Sequence, residues 1–148
     1  MSTKHRKYKQ GIFTPINGNK YRGSRPIIYR SGLELKFCMW CDKNENVLQW
    51  GSESVVIPYK SPKDGRVHRY FVDNVVKLKT KKGAKNFLVE IKPDSQTRPP
   101  KTTGRKSKKN LLYEQVTYAV NYCKWEAARK WCDKKGFEFI ILTEKHIK

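Results

Sequence analysis

The segment NFLVEIKP, residues 86–93, decides the fold of this chain. Its aromatic and branched residues predict a short strand, which Pro93 ends because proline cannot extend a sheet ladder. Successive side chains of a strand point to opposite faces. One face is apolar throughout and carries Phe87, Val89 and Ile91; the other carries Leu88, Glu90 and Lys92. A carboxylate and an ammonium therefore leave the strand side by side, opposite a face that suits a core.

A second strand is predicted for RYFVDNVVKL, residues 69–78, and the lysine- and glycine-containing segment between the two strands suits a hairpin. This hairpin would bring Asp73 next to Glu90 and Lys92. Two converging carboxylates repel each other unless a cation lies between them, and hard oxygen ligands favour Mg²⁺ or Mn²⁺. The lysine would orient or activate a water, or offset charge on a phosphate. This set of residues is typical of metal-dependent phosphodiester hydrolysis.

The net charge of the chain indicates nucleic acid as a partner. Its 148 residues suit a single domain, with 33 Lys and Arg against 13 Asp and Glu, a formal charge of +20. No base-reading motif is present, so we expect sequence-independent contacts with the DNA backbone. No apolar run reaches the ~20 residues that span a bilayer, and the basic N-terminus lacks the apolar stretch of a secretory signal. Four cysteines then suggest reduced thiols in a cytosolic, non-secreted protein.

Two basic segments flank the predicted strands. Residues 1–30 contain eight Lys or Arg and no acid, so residues 1 to about 25 form either a solvated, flexible tail or an arm that contacts DNA. Residues 93–110 contain one acid and predict a phosphate-contacting flap, with a purely solvated loop as the alternative. The DNA-binding candidates in these segments are Arg22, Arg25, Arg30, Lys101, Arg105, Lys106, Lys108 and Lys109.

Ser31 is a plausible N-cap for a helix over residues 32–41, whose predicted core face is Leu33, Phe37, Trp40 and Cys41. Glu34 lies in its first turn, where an acid either stabilises the helix end, pairs with a base or serves a catalytic site. Cys38 and Cys41 have the spacing of a zinc pair. A structural zinc site would need a second such pair, so we interpret these cysteines as small core residues.

The remaining pattern predicts a first strand over residues 53–59, a long helix over residues 110–135 and an interior last strand over residues 137–143. The predicted core face of the long helix is Leu112, Val116, Ala119, Val120, Cys123, Ala127 and Trp131. A second stripe contains Gln115, Tyr118, Tyr122 and Trp125, for which packing is the simplest interpretation. The order helix, three strands, helix, strand predicts an α/β fold with a mixed central sheet flanked by helices.

This order and these residues resemble the PD-(D/E)XK nuclease superfamily, which has a restriction-endonuclease-like core (α-β-β-β-α-β). The resemblance implies that Asp73, Glu90 and the backbone carbonyl of Ile91 bind a metal and that Lys92 is the catalytic lysine. It implies Glu34 as the helix-borne acid and a further metal ligand, and it matches Gln115 to a polar position on the following helix. Val72 departs from the motif, which has proline at that position.

Closer similarity is to the TnsA-like branch, carried by SGLE (31–34), SE (52–53), IPY (57–59), VEIKP (89–93) and TEK (143–145). Within this branch the chain resembles the head-completion nucleases of T-even-type tailed bacteriophages. That likeness implies a Mg²⁺-dependent endodeoxyribonuclease that processes packaged DNA before the tail joins. It also implies phage head, portal or neck proteins as partners, and a place in the host cytoplasm or in the virion.

Two other functions remain open at this point. One is a basic DNA-binding or neck-assembly protein that keeps the fold without turnover. The other is a transposase-type end-cutting subunit, which would need partner subunits. A pure binding module has no need for Asp73, Glu90 and Lys92 together, and this favours the enzyme.

Overall fold

A computed structural model describes residues 10–104 and 106–147. These residues form two α-helices, α1 (Gly32–Lys43) and α2 (Lys108–Lys135). The strands are β1 (Gly11–Phe13), β2 (Ile27–Tyr29), β3 (Val47–Ser52), β4 (Val56–Lys60), β5 (Val67–Phe71), β6 (Asn74–Thr80), β7 (Gly83–Ile91) and β8 (Glu138–Leu142). Short 3₁₀ turns cover Gly18–Lys20 and Asp94–Thr97.

The central sheet has the strand order β3-β6-β7-β8. β6 pairs antiparallel with β3 and β7, and β7 pairs parallel with β8, so the predicted mixed sheet is confirmed. The predicted hairpin is β6–β7, in which Thr80 pairs with Gly83. Gly83 has a φ of 109°, a conformation that L side chains rarely adopt. The strand of residues 86–93 thus lies in the interior of the sheet, between β6 and β8.

Three strand predictions need correction. The first strand of the central sheet is β3; residues 56–60 instead form β4, which pairs with β5 in a separate two-stranded hairpin. The predicted second strand is broken at Val72 and Asp73 into β5 and β6. β8 lies at an edge of the sheet, not in its interior. Residues 139–142 of β8 are apolar because both faces of the strand are covered: Ile140 packs into one core cluster and Ile141 into the other.

The two faces of the sheet are covered by different helices. Toward α1, a cluster includes Phe37, Trp50, Val76, Val89 and Ile91. Toward α2, a cluster gathers Tyr59, Tyr70, Val72, Leu88, Trp125 and Ala128. The alternation predicted for residues 87–91 is therefore confirmed, because Val89 and Ile91 belong to the α1 side and Leu88 belongs to the α2 side.

Both helices begin at a serine cap. Ser31 Oγ accepts a hydrogen bond from the Glu34 N–H at 3.0 Å, as predicted. Within α1, Phe37, Cys38 and Cys41 are buried, whereas Trp40 is 44% exposed, so the buried face is rotated from the predicted one. Cys132 is buried in the opposite cluster, which separates it from the α1 thiols by the sheet.

Helix α2 begins at Lys108, two residues earlier than predicted, and ends at Gly136 with a φ of 76°. Its fully buried residues are Asn121, Trp125, Ala128 and Cys132. Leu112, predicted as core, is 61% exposed, because α2 packs on β4 and β8 through its later turns while its first turns face solvent. The second stripe therefore supplies the buried Trp125, while Tyr122 is half-exposed.

The N-terminal basic segment is ordered over residues 10–25. β1 pairs with β2, and Tyr21 is buried against Trp50 with their ring centroids 4.8 Å apart. This aromatic contact connects Tyr21 of the predicted arm to β3, while the flexibility of the arm and its contact with DNA stay predictions; residues 1–9 lie outside the described residues. None of the described helices has the length and apolar character needed to cross a membrane.

Candidate active site

Asp73 lies at the break between β5 and β6. The break is fixed by two backbone hydrogen bonds to the segment after β3: Val72 N–H donates to Val55 O, and Glu53 N–H donates to Asp73 O, both at 3.0 Å. The side chain then reaches β7, where Asp73 Oδ2 accepts a hydrogen bond of 2.8 Å from the Ile91 N–H. The break in the strand thus turns Asp73 toward the end of β7.

Glu90 on β7 is 4% exposed and uses both of its carboxylate oxygens. Oε1 accepts a 2.6 Å hydrogen bond from the Tyr70 hydroxyl, and Oε2 lies 3.5 Å from Lys92 Nζ. Lys92 is itself fixed by its backbone N–H, which donates to Leu142 O of β8 at 3.0 Å. The structure therefore brings together the predicted carboxylate pair and the predicted lysine, and it adds Tyr70.

The carboxylate pair is electrostatically strained. Burial, followed by the negative charge of Glu90, raises the pKa of Asp73 well above its ordinary value, although the Ile91 N–H opposes the shift. Burial and the charge of Glu90 also raise the pKa of Tyr70, so its hydroxyl remains a hydrogen-bond donor. A cation at this point would relieve the repulsion between the two carboxylates.

Lys124 of α2 is a site residue that the sequence analysis missed. Its Nζ lies 5.8 Å from the ring centroid of Tyr59 and 5.6 Å from that of Tyr70. Burial and the neighbouring charge of Lys92 lower the pKa of Lys124, while Glu90 and Asp73 partly oppose this shift. In the sequence, Lys124 is marked only by its neighbour Trp125. A single lysine on a 28-residue helix does not indicate which strand its side chain contacts.

The two predicted helix-borne residues have different positions. Glu34 Oε1 accepts a hydrogen bond of 3.0 Å from the Arg30 N–H, which is a helix-end contact, yet its charge also contributes to the raised pKa of Asp73. Gln115 is exposed and lies nine residues before Lys124 on α2, about 13 Å along the helix axis. Glu34 is thus linked to Asp73 through its charge, whereas Gln115 lies apart from Lys124 and the carboxylates.

The donor set fits a magnesium-type ion. Among the described residues, no group of three or more His, Cys, Asp or Glu could hold a metal. Mg²⁺, however, keeps several waters and needs only one or two carboxylates. Asp73 Oδ1 remains available, since Oδ2 holds Ile91. The carbonyl of Ile91 faces the same side as its N–H, as in any extended strand, and so faces Asp73. Asp73, Glu90 and the Ile91 carbonyl would hold the ion.

The DNA-binding candidates are dispersed. Arg22 and Arg25 donate to backbone carbonyls of the 3₁₀ turn, and Arg30 forms an ion pair of 3.0 Å with Glu53, a residue with a positive φ of 50°. Lys106 pairs with Glu114 at 2.6 Å.

The remaining candidates lie between residues 101 and 109. Lys101, Lys108 and Lys109 are exposed, and Arg105 lies outside the described residues. For all the DNA-binding candidates, contact with DNA stays a prediction.

Known proteins provide two matches to this chain. A family model described as TnsA-like endonuclease N terminal matches residues 44–144, which include Asp73, Glu90, Lys92 and Lys124 and leave out Glu34. The chain is also 41% identical over 138 residues to the "Head completion nuclease" of Enterobacteria phage T4, a match that covers 90% of each chain. No solved structure matches the chain significantly.

Proposed function

The chain belongs to the TnsA-like endonuclease family, and from this premise we propose that it is a Mg²⁺-dependent DNA endonuclease that processes packaged DNA during completion of a phage head. Endonuclease activity with DNA as substrate follows from the family. The observation that carries the metal-dependent part is the convergence of Asp73 with the buried Glu90, which raises the pKa of Asp73, and the distance of 3.5 Å from Lys92 Nζ to Glu90 Oε2. The head-completion part is supported by the similarity to the phage T4 protein over nine tenths of the chain.

Asp73, Glu90 and Lys92 have different roles in the proposed hydrolysis. A divalent ion bound there would lower the pKa of a coordinated water and neutralise charge on the phosphate. The carboxylates of Asp73 and Glu90 would be oxygen ligands of the ion. Each is held in position by one hydrogen bond: the Ile91 N–H donates to Asp73, and the Tyr70 hydroxyl donates to Glu90. Lys92 orients the attacking water and offsets the charge that develops on the phosphate.

Substrate binding rests on charge rather than on base contacts. The chain carries a formal charge of +20, and a protein that neutralises several phosphates binds DNA with a strong dependence on salt. Lys108 and Lys109 at the start of α2 leave their side chains exposed next to the 93–107 loop. We propose that this exposed basic segment contacts the backbone of the DNA, so that binding is largely independent of sequence.

The test is cleavage of supercoiled and linear plasmid by purified protein with Mg²⁺, with Mn²⁺ or with EDTA. Lys92→Ala is compared with Lys79→Ala, which removes the same charge from an exposed position at the far end of β6. We expect metal-dependent cutting by the wild type and by Lys79→Ala, and none by Lys92→Ala.

Two results would contradict the proposal. Cutting that persists in EDTA would overturn the metal dependence. Tight, salt-sensitive binding without cutting under any metal would favour a DNA-binding assembly protein instead. The head-completion role is tested separately: purified filled heads incubated with the protein should gain the ability to join tails, and an inactive variant shows whether cleavage is required.

A further inference from the structure

Lys124 Nζ lies 5.6 Å from the ring centroid of Tyr70, whose hydroxyl donates to Glu90, yet no step of the proposed hydrolysis uses this lysine. We propose that Lys124 is a second phosphate-binding lysine of the active site and that its ammonium contacts the scissile phosphodiester. The inference deepens the proposed nuclease function and rests on it. It adds a catalytic contact from α2 to the contacts that Asp73, Glu90 and Lys92 supply from the β5–β6 break and the end of β7.

The position of Lys124 is fixed relative to Glu90. Its Nζ is 5.6 Å from the ring centroid of Tyr70, and the hydroxyl of the same ring donates to Glu90 Oε1 at 2.6 Å. The ring of Tyr59 lies 5.8 Å from Nζ and belongs to β4, the strand that pairs with β5. Two aromatic faces thus hold the ammonium by cation–π attraction next to a catalytic carboxylate.

The charge of Lys124 is not neutralised by a protein carboxylate. Several other lysines of the described residues form ion pairs, including Lys92 with Glu90 and Lys106 with Glu114, whereas Lys124 has no carboxylate oxygen within 4.0 Å in that part of the chain. The side chain of Lys124 is partly buried against Tyr59 and Tyr70, and the positive charge of Lys92 helps to lower its pKa. Placing two like charges together is costly unless an anion joins them. A phosphodiester is the anion that the proposed reaction brings to this point.

The contact has a defined role in hydrolysis. The oxygen of a water forms a bond to phosphorus, and the water releases a proton to solvent. The bond from phosphorus to the leaving sugar oxygen breaks, and that oxygen takes up a proton from solvent. Negative charge increases on the phosphate oxygens between these events. Lys124 stabilises that charge from the α2 side of the site, while Lys92 acts from β7.

The opposing interpretation is structural: a lysine often lays its stem along aromatic side chains and keeps its charge in water. Three variants separate the two. Lys124→Met keeps the apolar stem, Lys124→Arg keeps the charge, and Lys130→Met is a control that removes an exposed lysine from the same helix. Cleavage is measured in single turnover at saturating protein, alongside DNA affinity in EDTA and thermal melting.

We expect Lys124→Met to cut about 100-fold more slowly, the scale of losing one charge-stabilising donor. Lys124→Arg should recover most of the rate. DNA affinity and melting temperature should stay near the wild-type values, and Lys130→Met should cut like the wild type. A Lys124→Met rate within threefold of wild type, in a wild type that cuts, would overturn the inference and leave the nuclease function standing.

A second measurement does not depend on turnover. Lysine acetylation is followed by mass spectrometry with and without a short DNA duplex, in an Asp73→Asn background that keeps the DNA intact. We expect Lys124 to be protected by DNA and Lys130 to stay reactive. Equal reactivity of Lys124 in both conditions would overturn the inference. Protection of Lys124 together with a wild type that never cuts would keep the phosphate contact and reject the nuclease.

Discussion

The two faces of strand β7 have different compositions and different consequences. On the α1 side, Val89 and Ile91 are 1% and 6% exposed and belong to an apolar cluster with Phe37 and Trp50. On the α2 side, Leu88 is fully buried, and Glu90 follows it with only 4% exposure. One face therefore buries hydrocarbon, whereas the other buries a charge beside a second carboxylate.

One strand therefore contributes both to the stability of the fold, through its apolar face, and to the active site, through Glu90. Burying apolar side chains stabilises the fold in proportion to the area removed from water. Removing the carboxylates of Glu90 and Asp73 from water instead lowers the stability of the fold. The fold tolerates this cost because Tyr70 and Ile91 donate hydrogen bonds and Lys92 supplies a positive charge. Substitutions on the two faces should therefore affect different measurements.

The largest expected effect is on the chemical side. Glu90→Gln removes the negative charge but keeps the shape and an oxygen for Tyr70, so we expect cleavage to fall by about 10,000-fold or more while DNA affinity is kept. The measurement is single-turnover cleavage with filter binding in EDTA. Glu138→Gln, which removes an exposed acid paired with Lys85, is the matched control. Wild-type cleavage by Glu90→Gln would show that the site is assigned to the wrong residues.

A smaller loss of cleavage activity is expected when the hydrogen bond that Tyr70 donates to Glu90 is removed. Tyr70→Phe keeps the ring but removes the hydroxyl that donates to Glu90 Oε1. Loss of such an orienting partner typically costs about 10- to 100-fold in activity. Cleavage and Mg²⁺ titration of the variant measure this loss. An unchanged rate at every Mg²⁺ concentration would mean that the hydrogen bond does not orient the carboxylate.

On the opposite face, the expected change is in stability alone. Val89→Ala removes two buried methyl groups and should lower the free energy of unfolding by about 2 kcal/mol, with cleavage per folded molecule unchanged. Urea unfolding gives the first quantity and single-turnover cleavage the second. A cleavage defect in the fully folded variant would break the separation between the two faces.

The smallest expected effect is on the pH dependence of stability in the absence of metal, which the charge of Asp73 controls. Burial and the charge of Glu90 raise its pKa, so the folded state binds a proton more tightly than the unfolded state. Its contribution to stability is full below the ordinary pKa of 3.8 and is lost as pH rises through the raised folded value. Asp73→Asn does not titrate and keeps an oxygen for Ile91.

We therefore expect Asp73→Asn to melt at a higher temperature than the wild type in EDTA at alkaline pH. The difference should shrink as the pH falls towards the ordinary pKa of Asp. Thermal melts across the pH range measure it, and added Mg²⁺ should stabilise the wild type alone. A lower melting temperature for Asp73→Asn at alkaline pH would show that the buried charge is already compensated.

Local patterns predicted the central features well. The alternation of residues 86–92, the serine cap of α1 and the β6–β7 hairpin depend on neighbours close in sequence, and all three are confirmed. The strand predicted for residues 53–59 forms over its later part, as β4, but its place in the central sheet was wrong: a strand pattern does not specify a partner, and β4 pairs with β5 instead. The predicted core face of α2 is confirmed in its later turns, where Val120, Cys123, Ala127 and Trp131 pack against the core, and is wrong at Leu112, which faces solvent.

The sequence by itself determined the fold class, the basic charge and the pair of Glu90 and Lys92 on one face of a strand, because a period of two residues is a local property of the chain. Only the tertiary structure decided that the strand breaks at Asp73, that Tyr70 donates to Glu90 and that Lys124 of α2 reaches the same point. These contacts join residues 17 to 65 positions apart in the sequence, from Val55 and Val72 to Tyr59 and Lys124. Such contacts depend on which elements pack together, and no short pattern in the sequence specifies that packing.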